Sequence, residues 1–425
     1  MKILVLSNLY PPDVIGGYEL CCRQAADALR QRGHDVRVLT TAPRSPSPAE
    51  PQVRRTLRLT DVWSHYSFQK SAPITAHLTQ SESHRVNAYN VHALLGELEE
   101  FQPDVVYVHM LIGIGGLALM ACLHHLQVPW VWQLGDDVPV KLCQIAGRLN
   151  PTLAREFSRQ LHGHFIPVSQ QLLDAIETSG ATLNGVVEVI PNWIVGPEPP
   201  PHADYFRGKH LRIAAAASII DRQTDKGIDL AVEAAALLRD RGYDHFSLDI
   251  FGQVHDPYFP SLILNYGLND RVTLKGSLPQ DDLIAHYSEY DLFLFPTRPG
   301  EPFGVAPLEA AARGCVPLIS QTCGIAEWLV HTIDCLKAPR TAAAFARTVS
   351  AVLDGSIDLE PIGRRASAVA RREFHIDTII PRIEDHLRRA SRQSRAGAGT
   401  PEEAYRLALL AEKLSRVLIH ESLCA

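Results

Sequence analysis

Two glutamates in a loop rich in glycine and proline carry the strongest chemical signal in the chain. Glu301 and Glu309 lie in the segment EPFGVAPLEAAARGCVPLIS, residues 301–320. The apolar runs DLFLFP and VPLIS on either side show no alternation and predict buried parallel strands. Between them, a glycine loop and a helix over residues 306–313 would direct free N–H groups toward an anion at the sheet edge. The two carboxylates are predicted to face one crevice; the alternative is a solvated surface pair.

The surrounding pattern predicts two series of alternating strands and helices. KILVLS, residues 2–7, is followed by Gly16-Gly17, a helix from Tyr18 to Arg32 and a second strand, HDVRVLT. This is a β-α-β opening with a glycine turn, although two glycines alone also fit a plain turn. LRIAAAAS, residues 211–218, starts a second α/β series after the proline-dense stretch VGPEPPPHAD.

The spacing of Glu301 and Glu309 resembles the signature of the retaining family-4 glycosyltransferases, the glycosyl transferases group 1 with the GT-B fold. The resemblance covers roughly residues 1–390. It implies an α/β protein in which two Rossmann-like doubly wound domains face a central cleft. The implied ranges are an acceptor-side domain at 1–195, a linker at 196–206, a nucleotide-sugar-binding domain at 207–374 and a helix crossing back at 375–392. Beyond the resemblance, the residue pattern predicts an additional amphipathic helix at 400–420.

The same resemblance assigns roles on the donor side of the reaction. Glu301 would approach the transferred sugar as a catalytic residue, and Glu309 would hold the nucleotide ribose. The remaining donor contacts would come from backbone at several loops: Gly16, Gly17, Gly276, Leu278, Phe303, Gly304 and Val305.

The expected cations near the donor diphosphate match the family only in part. Lys226, followed by Gly227, matches the family lysine, whereas the position of the family arginine holds Ser218 or Ile219. We hypothesise that Arg222 supplies the missing charge from the longer loop. The alternative for Lys226 is a solvated lysine near a helix start, where the helix dipole disfavours a cation.

Two residues are candidates on the acceptor side. His109 ends the strand PDVVYVHM, where the family has a catalytic histidine near the donor sugar; a structural histidine is the alternative. The next strand ends in Gly135-Asp136-Asp137, whereas family members often have His-Asp. We assign Asp136, or its neighbour Asp137, to the acceptor, with helix capping or solvation of the loop as the alternatives.

The resemblance implies transfer of a hexose from a nucleotide-diphosphate sugar to an acceptor hydroxyl with retention. Cations and oriented amides would stabilise the leaving diphosphate. No Asp-x-Asp metal motif lies between the relevant strands, so neither a metal nor a cofactor is expected. The donor would be UDP- or GDP-linked, and the acceptor a glycan, a lipid-linked molecule or a small molecule. The alternatives are a binding protein that has lost catalysis and an oxidoreductase, although G-x-G-x-x-G is missing after the first strand.

Composition limits the remaining function classes. The 425 residues suit two domains, and the net charge of −6 gives no reason to expect a nucleic-acid partner. The eight cysteines are scattered without a C-x-x-C pair, which favours a reducing compartment. No apolar run is long enough to span a bilayer, so a cytoplasmic location is expected, with peripheral contact at the inner membrane face as the alternative.

Two further segments, residues 43–84 and the additional helix, carry no predicted catalytic residue. Residues 43–84 are expected to form acceptor-side loops with little regular structure, in which Arg54, Arg55 and Arg58 are either solvated or touch an anion. Thr400 and Glu403 predict a capping box that starts the additional helix. Its stripe of Leu407, Leu410, Ala411, Leu414 and Leu418 is predicted to pack on the chain itself; a homodimer contact or a membrane surface are the alternatives.

Overall fold

The computed structural model describes most of the chain. The described residues are 1–44, 46, 48–59, 86–136, 138, 161–196, 205–206, 209–222, 226–392 and 399–424, with side chains omitted for 414–424. The predicted acceptor residue Asp137, most of the 43–84 segment and most of the predicted linker lie outside these ranges.

The chain forms two compact units. Unit 1 contains Met1–Val168, Leu173–Ile190 and Ile380–Ala425, and unit 2 contains Ser169–Leu172 and Pro191–Ile379. The chain therefore passes into unit 2 just before Pro191, earlier than the predicted linker at 196–206, and returns to unit 1 within the helix predicted over 375–392.

Unit 1 is built on a seven-stranded parallel sheet in the order β3-β2-β1-β4-β5-β6-β7. Its first strand in chain order is apolar and buried from Ile3 to Leu6, as expected when helices cover both faces of a parallel sheet. The strands are β1 (Lys2–Leu6), β2 (Asp35–Thr41), β3 (Val53–Leu57), β4 (Val105–Val108), β5 (Trp130–Leu134), β6 (His162–Pro167) and β7 (Asn184–Val187).

Unit 2 repeats this order in a six-stranded parallel sheet, β10-β9-β8-β11-β12-β13. In both sheets the first strand in chain order is the third strand across the sheet, with the chain continuing to both sides of it. This is the doubly wound arrangement that places ligands at the carboxyl ends of the strands. The strands are β8 (Leu211–Ile220), β9 (Phe246–Val254), β10 (Val272–Gly276), β11 (Leu292–Phe295), β12 (Val316–Ser320) and β13 (Leu336–Ala338).

Helices connect the strands along the chain, and we number them in chain order. They are α1 (Gly17–Gln31), α2 (Ala88–Phe101), α3 (Gly116–His125), α4 (Gln170–Thr178), α5 (Ile228–Asp240), α6 (Tyr258–Asn265), α7 (Gln280–His286), α8 (Ala306–Ala312), α9 (Ala342–Leu353), α10 (Leu359–Phe374), α11 (Ile376–Ser391) and α12 (Pro401–Cys424). Among the described residues, no helix combines the length and apolarity needed to cross a bilayer.

The prediction of little regular structure over 43–84 is wrong for residues 53–57, which form β3. Pairing with β2 accounts for this strand: Val53 and Leu57 are buried, and the three residues between them are half-buried or exposed. Arg54 bonds Glu100 at 2.6 Å, Arg55 donates to the Pro11 carbonyl at 2.6 Å, and Arg58 lies over the Tyr89 ring. The three arginines are therefore held by their own unit.

The last helix begins as predicted but packs through other residues. The Thr400 amide donates to Glu403 at 2.9 Å, and Thr400 Oγ1 accepts from the Glu403 amide at 3.2 Å, which confirms the capping box. Packing of Leu407 and Leu410 on the chain is wrong, since they are 57% and 54% exposed. Ala404 and Ala408 are buried instead, because small side chains let α12 approach α2 and α3 closely.

Candidate active site

A lysine and a glutamate meet at the carboxyl edge of the unit 2 sheet. Lys226 lies just before α5, after β8, and Glu301 lies in the loop after β11; β8 and β11 are paired neighbours. Lys226 Nζ donates to Glu301 Oε2 at 2.6 Å, and the Thr297 hydroxyl donates to the same oxygen at 3.3 Å. These two residues, both predicted to belong to the donor site, lie 75 positions apart in the sequence and are in direct contact.

The loop after β11 is fixed through its carbonyl groups, while the N–H groups of residues 303–305 are left without acceptors among the described residues. The Gly324 amide donates to the Glu301 carbonyl at 2.9 Å, and the Ile325 amide donates to the Phe303 carbonyl at 3.0 Å. Gly304 has a φ of +102°, and a Cβ there would lie 2.6 Å from the Phe295 ring, so only glycine fits. None of the amides of residues 303–305 donates a hydrogen bond to another described residue.

Glu309 lies in the first turn of α8 and is buried. Its Oε1 accepts a hydrogen bond from Gln280 Nε2 at 2.7 Å. Burial raises the pKa of this carboxyl from 4.5 to about 7, while the Gln280 bond opposes the rise. Glu301 and Glu309 therefore differ in environment, because one pairs with a cation and the other is desolvated beside a neutral amide.

Arg222 is not brought to the Lys226–Glu301 pair. Its guanidinium donates to Asp256 Oδ2 at 2.7 Å and stacks over the Tyr258 ring at 4.9 Å. The side chain is largely exposed, and its bond to Asp256 raises the pKa of Arg222 further. In this arrangement the charge of Arg222 is neutralised by a carboxylate beside β9.

The backbone predicted to meet the nucleobase has open space around it. Gly276 ends β10 with a φ of +77°, and a Cβ there would meet nothing within 4 Å. Leu278, two residues later, is half-buried. Both lie just before α7, which carries Gln280 and so connects this loop to Glu309.

In unit 1, the glycine pair begins α1. Gly16 has an extended backbone, and a Cβ added at Gly16 or Gly17 would meet nothing within 4 Å. Neither conformation nor internal packing therefore requires glycine at these positions. The buried Glu19 carboxylate accepts the Gly16 amide at 3.0 Å and the Ile15 amide at 3.3 Å, which leaves the Gly17 amide without a bond to any described residue.

His109 lies directly after β4, at the same sheet edge as the loop after β1. Its amide donates to the Leu6 carbonyl at 2.9 Å, and its ring packs edge-on against Tyr107 at 4.5 Å. The ring is buried, Nε2 has no hydrogen-bond partner among the described residues, and burial lowers the pKa of His109 to about 3. The imidazole is accordingly neutral near pH 7.

The departure at Gly135 has a steric explanation. A Cβ at Gly135 would lie 2.0 Å from the Tyr18 hydroxyl, so the Tyr18 ring occupies the space where a larger residue would stand. Asp136 Oδ1 accepts the Val138 amide at 2.9 Å. This bond to the amide of a helical residue two positions later is of the capping kind, which was one of the alternatives considered for Asp136.

Three residues at these sites were not predicted from the sequence. Thr297 bonds Glu301, Gln280 bonds Glu309, and Tyr18 fills the space at Gly135. Thr297 follows the DLFLFP strand closely, and this position at a strand end was the signal that could have identified it. Gln280 and Tyr18 carry no such signal, because each acts across a distance in sequence.

The unit 2 edge has the chemistry of an anion site with an adjoining carboxylate. A lysine and unbonded amides can stabilise negative charge on a phosphate, and a carboxylate can accept hydroxyl groups of a sugar. Among the residues that the structure describes, no group of three or more His, Cys, Asp or Glu side chains could hold a metal ion.

Two family models match the chain, one in each half. The model described as glycosyl transferases group 1 matches residues 217–369, and the glycosyl transferase 4-like domain matches residues 16–193. Glycogen synthase of Mycobacterium tuberculosis is 27% identical over 398 residues, covering 88% of this chain and 90% of that protein.

Solved structures share the fold at low sequence identity. Sucrose-phosphate synthase from Thermosynechococcus elongatus superposes with a TM-score of 0.67 at 19% identity, covering 91% of this chain and 98% of that one. Anabaena HepE, solved in complex with UDP, gives a TM-score of 0.64 at 18% identity, covering 92% and 100%.

Proposed function

Since the chain belongs to the glycosyl transferases group 1 family and has the GT-B fold, we propose that this glycosyltransferase transfers a hexose from a nucleotide-diphosphate sugar with retention of configuration. The acceptor group is a hydroxyl. The observation that carries the proposal is the contact of Lys226 Nζ with Glu301 Oε2 at 2.6 Å, beside the unbonded amides of residues 303–305.

The costly event in this reaction is the separation of charge at the anomeric carbon. As the bond to the diphosphate breaks, negative charge grows on phosphate oxygens and positive charge grows on the sugar ring. Lys226 and the amides of Phe303, Gly304 and Val305 stabilise the phosphate charge from fixed positions. Fixed donors of this kind lower the barrier because they need no reorganisation during the reaction.

Glu301 binds the sugar that is transferred. In the free protein its Oε2 accepts from both Lys226 and Thr297. When a diphosphate takes the Lys226 charge, the carboxylate becomes free to accept sugar hydroxyls and to orient the ring. Glu309 and Gln280 form a hydrogen-bonded pair that holds the ribose, and the Gly276–Leu278 backbone contacts the base.

The unit 1 residues serve the same reaction in the proposal. Gly17 offers an unbonded amide at the start of α1, where the helix dipole also favours a phosphate. His109 offers a neutral imidazole whose Nε2 has no partner among the described residues. A neutral imidazole can exchange hydrogen bonds with a sugar hydroxyl without adding charge beside the developing oxocarbenium ion.

The donor nucleotide and the acceptor are proposed at the level of class. A UDP-linked donor is supported by Anabaena HepE, which was solved with UDP, and a GDP-linked donor remains an arm of the test. Lys226 supplies a protein cation at the proposed phosphate position, so we propose a reaction that needs no divalent metal. The acceptor is a glycan, a lipid-linked molecule or a small molecule.

The test is turnover of a panel of UDP- and GDP-sugars, with product analysis by mass spectrometry and by proton NMR of the new anomeric centre. The proposal expects one donor to be consumed, with retained configuration and unchanged rate in EDTA. Donor binding without turnover would instead support a binding protein that has lost catalysis. An inverted product, or loss of activity in EDTA, would contradict the mechanism.

A further inference from the structure

Unit 2 contains a cavity that shares Glu309 with the proposed donor site but is otherwise lined by residues to which the proposed reaction assigns no role. Its volume is about 520 Å³, within the range of pockets that hold small organic ligands. The lining comes from α7, α8, α10 and the chain that enters and leaves the unit: Ile194, Val195, Gly196, Ile284, Glu309, Ala312, Arg313, Arg364, Ala368, Arg371, Arg372 and His375. Lys226, Glu301 and the 303–305 loop are absent from this lining.

The cavity is lined by more positive than negative groups. Four arginines and a histidine line it, against the single carboxyl group of Glu309. Arg364 is paired with Glu360 at 2.8 Å, Arg372 contacts Glu373, and Arg371 bonds the Ser367 carbonyl at 3.2 Å. Glu309 is committed to Gln280 and does not bond any of these arginines.

Arg313 is the exception among the four arginines. It directly follows α8, and its guanidinium makes no hydrogen bond or ion pair with any described residue. An arginine that lines a cavity without a partner offers a planar fork of N–H donors for an anion, and this geometry suits phosphate and carboxylate groups.

The apolar part of the lining indicates that the anion has an organic body. Ile194, Val195, Ile284, Ala312 and Ala368 supply apolar surface beside the arginines. Inorganic phosphate would leave this surface and most of the volume unused. A phosphate monoester on a sugar or nucleoside would use both parts of the cavity.

We propose that this cavity is a binding site for a small organic phosphate, with Arg313 as its principal anchor. Its lining excludes Lys226 and Glu301 but includes Glu309 of α8, which holds the ribose in the proposed function. Arg313 lies four residues after Glu309, one helical turn away on the same face. This inference rests on the proposed function, in which Glu309 binds the donor. Ligand binding at Arg313 is then coupled to donor binding, because movement of the short helix α8 displaces Glu309.

Coupling of this kind is reciprocal. If the organic phosphate changes the affinity for the donor nucleotide, the nucleotide changes the affinity for the organic phosphate by the same factor. The direction is set by whether α8 keeps the Glu309–Gln280 bond when Arg313 is engaged. Binding itself, however, is measurable without any turnover.

The experiment is calorimetric titration of the full-length protein with inorganic phosphate, glucose 6-phosphate and AMP. Lys226→Ala serves as the background, so that phosphate at the proposed donor site does not contribute heat. Arg313→Met removes the charge but keeps the apolar stem, and Arg365→Met is the matched control, an exposed arginine on α10 that does not line the cavity.

We expect glucose 6-phosphate or AMP to bind more tightly than inorganic phosphate. Arg313→Met should weaken that binding about tenfold or more, in line with the loss of a charge-assisted bond, and Arg365→Met should leave it within about twofold. Equal binding by Arg313→Met or no binding of any probe would overturn the site. So would a probe affinity that falls without limit as UDP is raised in the Lys226→Ala background, because coupling between two sites reaches a plateau. Absence of glycosyl transfer would remove the proposed function and leave this titration interpretable.

Discussion

Lys226 Nζ and Glu301 Oε2 lie 2.6 Å apart, and their side chains are 32% and 12% exposed. The pair joins loops that follow two neighbouring strands, so the sheet itself fixes its geometry. In the proposed reaction a diphosphate takes over the lysine, and the carboxylate is released toward the sugar. In the proposal, Lys226 and Glu301 must therefore separate before either side chain can contact the donor.

Replacing Glu301 by glutamine separates these two roles. Glu301→Gln keeps the side-chain shape and removes the charge that competes for Lys226. We expect kcat to fall about 100-fold, while the donor KM is unchanged or lower because Lys226 is freed for the diphosphate. Steady-state kinetics with the identified donor measures both parameters.

Thr297→Val is the milder companion variant. It removes only the 3.3 Å bond to Glu301, so a fall in kcat of about 2- to 10-fold is expected. A raised KM with unchanged kcat in Glu301→Gln would contradict the assigned role, since it would show that the carboxylate contributes equally to ground state and transition state.

Gly17→Ala tests whether the opening of α1 is kept free for a ligand. The added methyl group meets nothing within 4 Å and the backbone conformation does not require glycine, so stability should be unchanged or slightly higher. Donor binding should weaken about tenfold or more, because the methyl group lies where the phosphate approaches. Thermal melts and titration with the nucleotide measure the two effects.

The matched control for Gly17→Ala is Gly96→Ala in α2. A Cβ at Gly96 also meets nothing within 4 Å, and alanine in a helix interior should raise stability by about 1 kcal/mol. Donor binding should not change. If both variants bind donor normally, the glycine pair is a plain turn.

Glu309 gives a pH dependence of stability with a definite sign. Burial raises the pKa of its carboxyl from 4.5 to about 7, so the folded state favours the protonated form. The stability contributed by this group is fully present below pH 4.5, falls as the pH rises toward 7 and levels off above it. Its total size is about 3 kcal/mol.

Urea unfolding of the unsubstituted protein and of Glu309→Gln at several pH values separates the contribution of the Glu309 carboxyl from that of the other titrating groups. The free energy of unfolding of the unsubstituted protein should fall relative to the variant between pH 5 and 7. Parallel curves would show that the carboxyl is ionised at an ordinary pKa.

His109 should remain neutral across the physiological range. Burial lowers its pKa to about 3, well below the usual 6.5. Its imidazole NMR signals should therefore stay constant from pH 5 to 8, and His109→Ala should reduce turnover without moving the pH profile in that range. A His109 titration near pH 6.5, or a lost limb of the profile in the variant, would contradict a neutral role.

Much of this architecture follows from local sequence patterns. Apolar runs without alternation predicted β1, β8, β11 and β12, because strands buried on both faces leave that mark. The family resemblance, not the strand pattern, then assigned both Lys226 and Glu301 to the donor site. Their contact needed only that β8 and β11 be neighbours.

The remaining features depend on pairings that no local pattern encodes. Arg222 was predicted near the diphosphate, and no local pattern indicated that it pairs with Asp256 and lies over the Tyr258 ring. In α12 the leucine stripe predicted the packed face, yet the close approach of α2 favoured Ala404 and Ala408. The contact of Tyr18 with Gly135 is likewise tertiary. The glycine at position 135 alone therefore gave no sign that the Tyr18 ring fills the space beside it.

The most direct measurement is nucleotide-sugar turnover by the unsubstituted protein, by Lys226→Ala and by Lys209→Ala, an exposed lysine in the same unit as the control. We predict that the unsubstituted protein and Lys209→Ala transfer sugar from the same UDP- or GDP-linked donor at similar rates. Lys226→Ala should be slower by about 100-fold or more. Equal rates in Lys226→Ala, with the same donor, would contradict the account.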